Sequence, residues 1–154
     1  MITIPNYKTL EIQHIVCDYN GTIAKDGQLL PNTIERLRIL STDFRLHVIT
    51  ADTFGTVASQ LKGENIEVKV LSSANHTQEK ANYIQSLGVD ITVALGNGNN
   101  DIDMLQQASV GIAILGDEGC STQTLLHADL LCRDIGDALD LLIYPKRLIA
   151  TLRK

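Results

Sequence analysis

The segment QHIVCDYNGT, residues 13–22, decides how the rest of the chain is read. Ile15, Val16 and Cys17 make an apolar, partly β-branched run of the kind found in a buried strand. Asp18 ends that run, and Asn20-Gly21 turns the chain sharply. A carboxylate at this point sits at the carboxyl end of a strand, beside a tight turn.

Outward from this segment the same pattern recurs. Strand-like runs appear at 44–49 (FRLHVI), 66–71 (IEVKVL), 91–95 (ITVAL), 110–115 (VGIAIL) and 129–132 (DLLC). Helical patterns lie between and after them. One spans 31–40, with Pro31 in its first turn and Ile34, Leu37, Ile39 and Leu40 at helical spacing. Others span 53–61, ending before Gly63, and 76–87, ending at Gly88. Three more are expected over 100–108, 136–143 and from Pro145 to Arg153 and Lys154, whose charges suit a helix C-terminus.

Strands alternating with helices predict an α/β chain with right-handed crossovers. The expected architecture is a Rossmann-like, three-layer fold with a mostly parallel sheet and helices on both faces. Ligands of such sheets bind beyond the carboxyl ends of the strands. The residues to inspect are therefore Asp18, Thr50, Ser72 and Ser73, and the stretch Gly96 to Asp101. Lys25-Asp26-Gly27 reads as the tip of a short hairpin flap after the first strand. The intervals from Asp18 to Thr50 and from Thr50 to Lys80 are filled by these elements, so no cap domain is expected. Residues 1–154 read as a single domain.

Bulk properties narrow the function classes. The 154 residues are 44% hydrophobic and carry a formal net charge of −5. That charge argues against nucleic acid or an anionic membrane as the main partner. A chain of this size buries roughly 70% of its unfolded surface and needs no disulfides. Cys17, Cys120 and Cys132 are odd in number and lack C-x-x-C spacing, so they read as reduced thiols. His14, His47, His76 and His127 show no metal-ligand spacing and read as ordinary surface or core residues. The first ten residues, interrupted by Pro5, Asn6 and Lys8, do not read as a signal peptide. No run of about 18 apolar residues occurs. Cytoplasm is the expected location.

The polar residues at the strand ends suit phosphoryl transfer. That reaction needs a nucleophile, neutralised phosphoryl oxygens and a metal. Asp18 can attack phosphorus and form an aspartyl phosphate. Thr50, with the Ala51 amide beside it, can hydrogen-bond a phosphoryl oxygen. Lys80 can offset the charge of Asp18 and phosphate, with Lys69 a rival for that part. The turn Asn97-Gly98-Asn99-Asn100-Asp101 offers hard oxygen ligands for Mg²⁺. Asp52 and Asp103 read as capping or solvated groups, and Glu118 has no assigned part.

Here a family resemblance appears. Asp18-Tyr19-Asn20-Gly21-Thr22 resembles the D-x-D-G-T signature of haloacid dehalogenase-like hydrolases. Thr50-Ala51-Asp52 and Gly96-Asn97-Gly98-Asn99-Asn100-Asp101 resemble the T-G-D and G-D-G-x-N-D of P-type ATPase phosphorylation domains. The likeness covers about residues 13–116, in the same order and strand context. It implies Asp18 as nucleophile and metal ligand, with the backbone carbonyl of Asn20 as a second ligand. It implies Thr50, Ala51, Lys80 and Asn100 around phosphate. Asn97 and Asp101, with Asn100, would hold Mg²⁺ directly or through water.

Two positions depart from the pattern. Phosphatases of this family carry aspartate two residues after the nucleophile, where it protonates the leaving group and then activates water. Here that residue is Asn20, whose amide exchanges no proton at useful pH. Asn97 stands where the family usually has a metal-binding aspartate. The expectation is a slow Mg²⁺-dependent phosphatase or phosphotransferase acting on a phosphorylated small molecule or a phosphoprotein. A second copy of the chain could cover its open site. The alternative is a non-catalytic phosphate- or metal-binding partner protein with a weakened site.

Overall fold

A computed structural model describes residues 1–154. The chain opens with an antiparallel ribbon, β1 (Ile2–Ile4) and β2 (Lys8–Leu10), followed by β3 (His14–Asp18). The flap hairpin β4 (Ala24–Lys25) and β5 (Gln28–Leu29) precedes α1 (Thr33–Leu40). Then come β6 (Arg45–Thr50), α2 (Val57–Gln60), β7 (Ile66–Val70), α3 (His76–Leu87), β8 (Thr92–Gly96) and α4 (Ile102–Gln107). β9 (Val110–Ile114), α5 (Thr122–His127), β10 (Leu130–Cys132), α6 (Ile135–Ile143) and α7 (Pro145–Leu152) complete the chain.

Six strands form one parallel sheet in the order β10-β9-β8-β3-β6-β7. All six expected strand runs are in it. From β3 the chain moves outward through β6 and β7, then returns to β8 on the other flank and continues to β9 and β10. The direction reverses between β3 and β8, which opens a crevice at their carboxyl ends. Register sets the residues of that crevice side by side: Asp18 lies opposite Ile49 of β6, and Cys17 opposite Leu95 of β8.

Every residue of β3, β8 and β9 is buried, as expected of central parallel strands covered on both faces. Side chains alternate between the two cores. Ile15, Cys17, Leu46, Val48, Val93 and Leu95 pack with Leu37 and Leu40 of α1 and with Leu139 and Leu142 of α6. The ribbon adds Ile4 and Leu10 to that core. On the opposite face Val16, Ile49 and Ala94 pack with Ile84 of α3 and with Met104 and Leu105 of α4.

The flap is where the sequence places it. Asp26 and Gly27 both have positive φ, 50° and 81°, which matches the right-handed twist of a two-residue hairpin. Three details differ from expectation. The helix expected over 53–61 shrinks to α2, because Asp52 and Gly55 adopt positive φ and the Gly55 amide donates to the Asp52 carbonyl at 2.9 Å. The helix expected from 100 begins instead with a tight 3-10 turn at Asn99–Asp101, and α4 proper starts at Ile102. The ribbon β1–β2 and the short α5 are additions.

Helix α4 rests directly on the backbone of β9. A methyl group at Gly111 would lie 2.2 Å from the carbonyl oxygen of Leu105, closer than any side chain tolerates. Gly111→Ala should therefore push α4 off the sheet, at a cost of about 1–3 kcal/mol. At roughly 2–4 °C per kcal/mol for a chain of this size, Tm should fall by about 3–10 °C. Thermal unfolding followed by circular dichroism checks this, and an unchanged Tm would contradict the close approach.

Candidate active site

Asp18 ends β3, where the chain leaves the sheet for the flap. Its carboxylate Oδ1 accepts a hydrogen bond from Lys80 Nζ at 2.9 Å. Lys80 lies one turn into α3 and also donates to Asp101 Oδ1 at 2.8 Å and Asn100 Oδ1 at 3.0 Å. These three bonds use all three hydrogens of the ammonium group. The cluster is deeply buried: Lys80 is 2% exposed and Asp101 not at all.

Asp101 is held from both ends. Its Oδ2 accepts the backbone amides of Asn97 at 2.9 Å and Gly98 at 3.0 Å. Gly96 makes room for it, since a methyl there would lie 2.5 Å from the Asp101 carboxyl carbon. Both oxygens of Asp101, expected as a metal ligand, are engaged here by Lys80 and the two amides, so it anchors Lys80 and the 97–101 turn. The loop after β9 and the helix α5 that follows it brace the same turn: Ser121 donates its amide to the Asn97 carbonyl at 2.8 Å, and Thr124 its hydroxyl to the Gly98 carbonyl at 2.7 Å. Asn97 Nδ2 donates to the Gly119 carbonyl at 3.1 Å.

The other expected residues, Asp18, Asn20, Thr50, Ala51, Lys80, Asn97 and Asn100, line one cleft of about 220 Å³ at the carboxyl edge of the sheet. Thr50 is buried, and its hydroxyl accepts the Asp52 amide at 2.8 Å. Asp52 itself accepts the Val57 amide at 3.3 Å and so caps α2, as its sequence position suggested. Lys69 lies outside the cleft, 3.6 Å from Glu79. A larger cleft of about 390 Å³ lies beyond the flap, near Lys25, Leu115 and Arg133. It holds none of these residues, and its cations pair with nearby carboxylates, Lys25 with Asp117 and Arg133 with Asp137.

Asn20 has a mechanical part that the sequence does not reveal. Its Oδ1 accepts the Gly27 amide at 2.9 Å, while Tyr19 and Thr56 donate their hydroxyls to the Gly27 carbonyl at 3.0 and 2.7 Å. The flap tip is thereby tied to the turn after β3. Sequence reasoning also missed Glu79, whose carboxylate accepts the amides of Ser72 and Ser73 at 3.0 and 2.8 Å. The Ser73 amide, with that of Ser72, holds Glu79 down to about 2. A glutamate in the first turn of a helix that follows a serine-rich loop is the available signal. His76, which also lines the cleft, gave no signal at all.

The electrostatics of the cluster are unbalanced. Burial pushes Asp18 up to about 7; the neighbouring Asp101 carboxylate adds to this, and Lys80 opposes it. Burial works against the charge of Lys80, but Asp101 and Asp18 outweigh it and raise its pKa. Two carboxylates share one ammonium, so a further cation at the cleft would be welcome when both are ionised. The hard-oxygen donors for one are present. Tyr19 offers its carbonyl to the amides of Thr22, Ile23 and Ala24, whereas the Asn20 carbonyl accepts no hydrogen bond. With the Asp18 carboxylate and the Asn97 amide oxygen it makes a set suited to Mg²⁺, which binds through one or two carboxylates and keeps several waters. No three His, Cys, Asp or Glu side chains converge in metal-holding fashion.

No family model matches the chain. Over 61 residues, 40% of this chain and 66% of the other, it is 51% identical to an uncharacterized protein of Methanocaldococcus jannaschii. It is similar in structure to the 3-deoxy-D-manno-octulosonate 8-phosphate phosphatase of Moraxella catarrhalis, solved with magnesium, phosphate and the KDO molecule. That likeness has a TM-score of 0.69 at 17% identity and covers 93% of this chain and 94% of that one. The cobalt-bound deoxy-D-mannose-octulosonate 8-phosphate phosphatase of Haemophilus influenzae gives 0.72 at 10% identity, covering 89% and 90%. A phosphatase of the haloalkanoate (HAD) enzyme superfamily from Bacteroides thetaiotaomicron gives 0.59 at 10%, covering 91% and 96%. With its parallel sheet, its flap after the central strand and no cap domain, the chain has the haloacid dehalogenase-like fold of these phosphatases.

Proposed function

We propose that the protein is a slow, Mg²⁺-dependent phosphatase or phosphotransferase that works through an aspartyl phosphate at Asp18. The observation that carries this reading is the buried Lys80 ammonium bonded to Asp18, Asn100 and Asp101 beside an open cleft. Asp18 attacks phosphorus with one carboxylate oxygen. Thr50 and the backbone at Ala51 receive phosphoryl oxygens. Lys80 stabilises their charge, and Asn100, the neutral one of its three acceptors, is the partner that a phosphoryl oxygen can displace. Asp18, the Asn20 carbonyl and Asn97 would hold Mg²⁺, which when bound offsets charge on the phosphoryl group. The cleft is open, which suits a phosphoprotein, or a small phosphate ester enclosed by a second copy of the chain. No helix is long and apolar enough to cross a membrane.

One observation favours the second reading, a non-catalytic phosphate- or metal-binding protein. Asn20, at the family's proton-donor position, spends its side-chain oxygen on the flap amide of Gly27. Labelling separates the two readings. Incubation with acetyl phosphate and Mg²⁺ should leave an acid-stable, hydroxylamine-labile phosphate on Asp18, found by peptide mass spectrometry and absent from Asp18→Asn. Bound Mg²⁺ with no labelling would favour the non-catalytic protein.

Esters with good leaving groups should turn over fastest. Asn20→Asp keeps the shape and the bond to Gly27, so it should fold normally and speed alkyl phosphate hydrolysis. The gain should reach about 10² where no other group supplies the proton, and be smaller where one does. Steady-state kinetics of the two proteins on an alkyl phosphate checks this; a slower Asn20→Asp protein would contradict it.

The charge imbalance should appear in stability. A carboxyl group whose folded pKa of about 7 exceeds its unfolded value near 3.8 stabilises the fold when protonated. That contribution is complete below about pH 4 and is lost progressively as pH rises to about 7. With metal removed by a chelator, Asp18→Asn should therefore raise Tm above pH 7 and change it little at pH 4. Equal effects at both pH values would show that ionisation of Asp18 carries no strain.

A further inference from the structure

The titratable side chains lining the cleft are Asp18, His76 and Lys80, and the reading above uses only Asp18 and Lys80. His76 is the first residue of α3, four before Lys80, so the two side chains share one face of the helix. α3 starts above the carboxyl edge of the sheet and runs back along it. His76 therefore lines the open cleft one helical turn before Lys80. Its position is pinned. The Gln78 amide donates to Asn75 Oδ1 at 3.1 Å, and Glu79 clamps the loop at Ser72 and Ser73.

Elimination points the same way. Phosphate monoester cleavage needs a proton on the departing oxygen, and the Asn20 amide has none to give. Lys80 has committed all three hydrogens, and its raised pKa keeps it charged. The Tyr19 hydroxyl is buried and donates to the Gly27 carbonyl. Histidine is the side chain best suited to proton exchange near neutral pH.

Resting on the phosphatase reading, we infer that His76 takes over the acid–base work that Asn20 cannot do. In the first step Asp18 forms an O–P bond, the bond from phosphorus to the ester oxygen breaks, and the imidazolium gives that oxygen its proton. In the second, neutral His76 takes a proton from water as the water oxygen bonds to phosphorus and the Asp18–phosphorus bond breaks. The other charged groups lining the cleft with His76 are Asp18 from β3 and Lys80 from its own helix. Asn20, Thr50, Thr53, Asn97 and Asn100 are the neutral polar groups of the cleft. Glu79 is turned onto the serine amides, and Asp101 lies behind Lys80.

The test compares glycerol 2-phosphate, whose alkoxide needs a proton, with para-nitrophenyl phosphate, whose leaving group does not. In His76→Gln, kcat/KM, which reports only the first step, should fall about 10²-fold for the alkyl ester and less than about tenfold for the aryl ester. The alkaline fall in kcat/KM for the alkyl ester should disappear from the pH profile. Asn20→Asp should restore alkyl turnover in the His76→Gln background, with a larger gain there than in the parent. An equal fall for both esters, an unchanged pH profile, or no alkyl turnover in the parent would overturn His76 as the proton donor. Failure of acetyl phosphate to label Asp18 would overturn the underlying reading instead. Labelling with an unaltered alkyl-to-aryl ratio overturns the role of His76 alone.

Discussion

The buried ammonium of Lys80, shared by Asp18 and Asp101, is the interaction on which the rest of the site depends. Taking a lysine and two carboxylates out of water is costly, and well-packed apolar residues would serve stability as well or better. Removing the ammonium, however, leaves two buried carboxylates with no countercharge, at a cost of about 3–5 kcal/mol. The fold therefore cannot drop Lys80, and each of the three groups fixes an element. Asp18 fixes the end of β3, Lys80 the start of α3, and Asp101 the turn after β8. This junction joins both flanks of the sheet at its reversal point.

Around that junction the chain supplies neutral donors and acceptors where charge would be expected. Asn20 and Asn97 keep the geometry of the turn after β3 and of the turn after β8 while removing two potential negative charges. One consequence is a cleft with a single ionisable carboxylate facing it, and a flap tied down by an amide that does not titrate. Another is that, on the proposed phosphatase reading, proton transfer would come from elsewhere on the rim, where α3 begins.

Much of this was legible in the residues. Asp18 and Thr50 follow apolar runs, Lys80 sits near a helix start, and a parallel sheet brings such points to one edge. Asp26-Gly27 announced the flap by its turn chemistry. What stayed hidden depended on direction and distance. The inward turn of Asp101 requires the bare backbone of Gly96, and the grip of Asn20 on Gly27 requires the flap to fold back seven residues later. The ribbon β1–β2 was missed because three-residue strands carry too little alternation, and α5 because six residues carry too little helical period. His76 has no partner motif in the sequence; only the fold sets it near Asp18.

The turns that shape the cleft also guard its chemistry against ageing. Asn20-Gly21 and Asn97-Gly98 are the kind of step in which the glycine nitrogen readily attacks the asparagine side chain and converts it to aspartate. Here both nitrogens are occupied, Gly21 by the Ala24 carbonyl at 2.7 Å and Gly98 by Asp101 Oδ2 at 3.0 Å. Each asparagine is also held by its own side-chain bond, to Gly27 and to Gly119. Folded protein thus keeps its encoded amides, whereas chains that have lingered unfolded would carry a mixture of aspartate and isoaspartate at the two positions where the related signatures have aspartate.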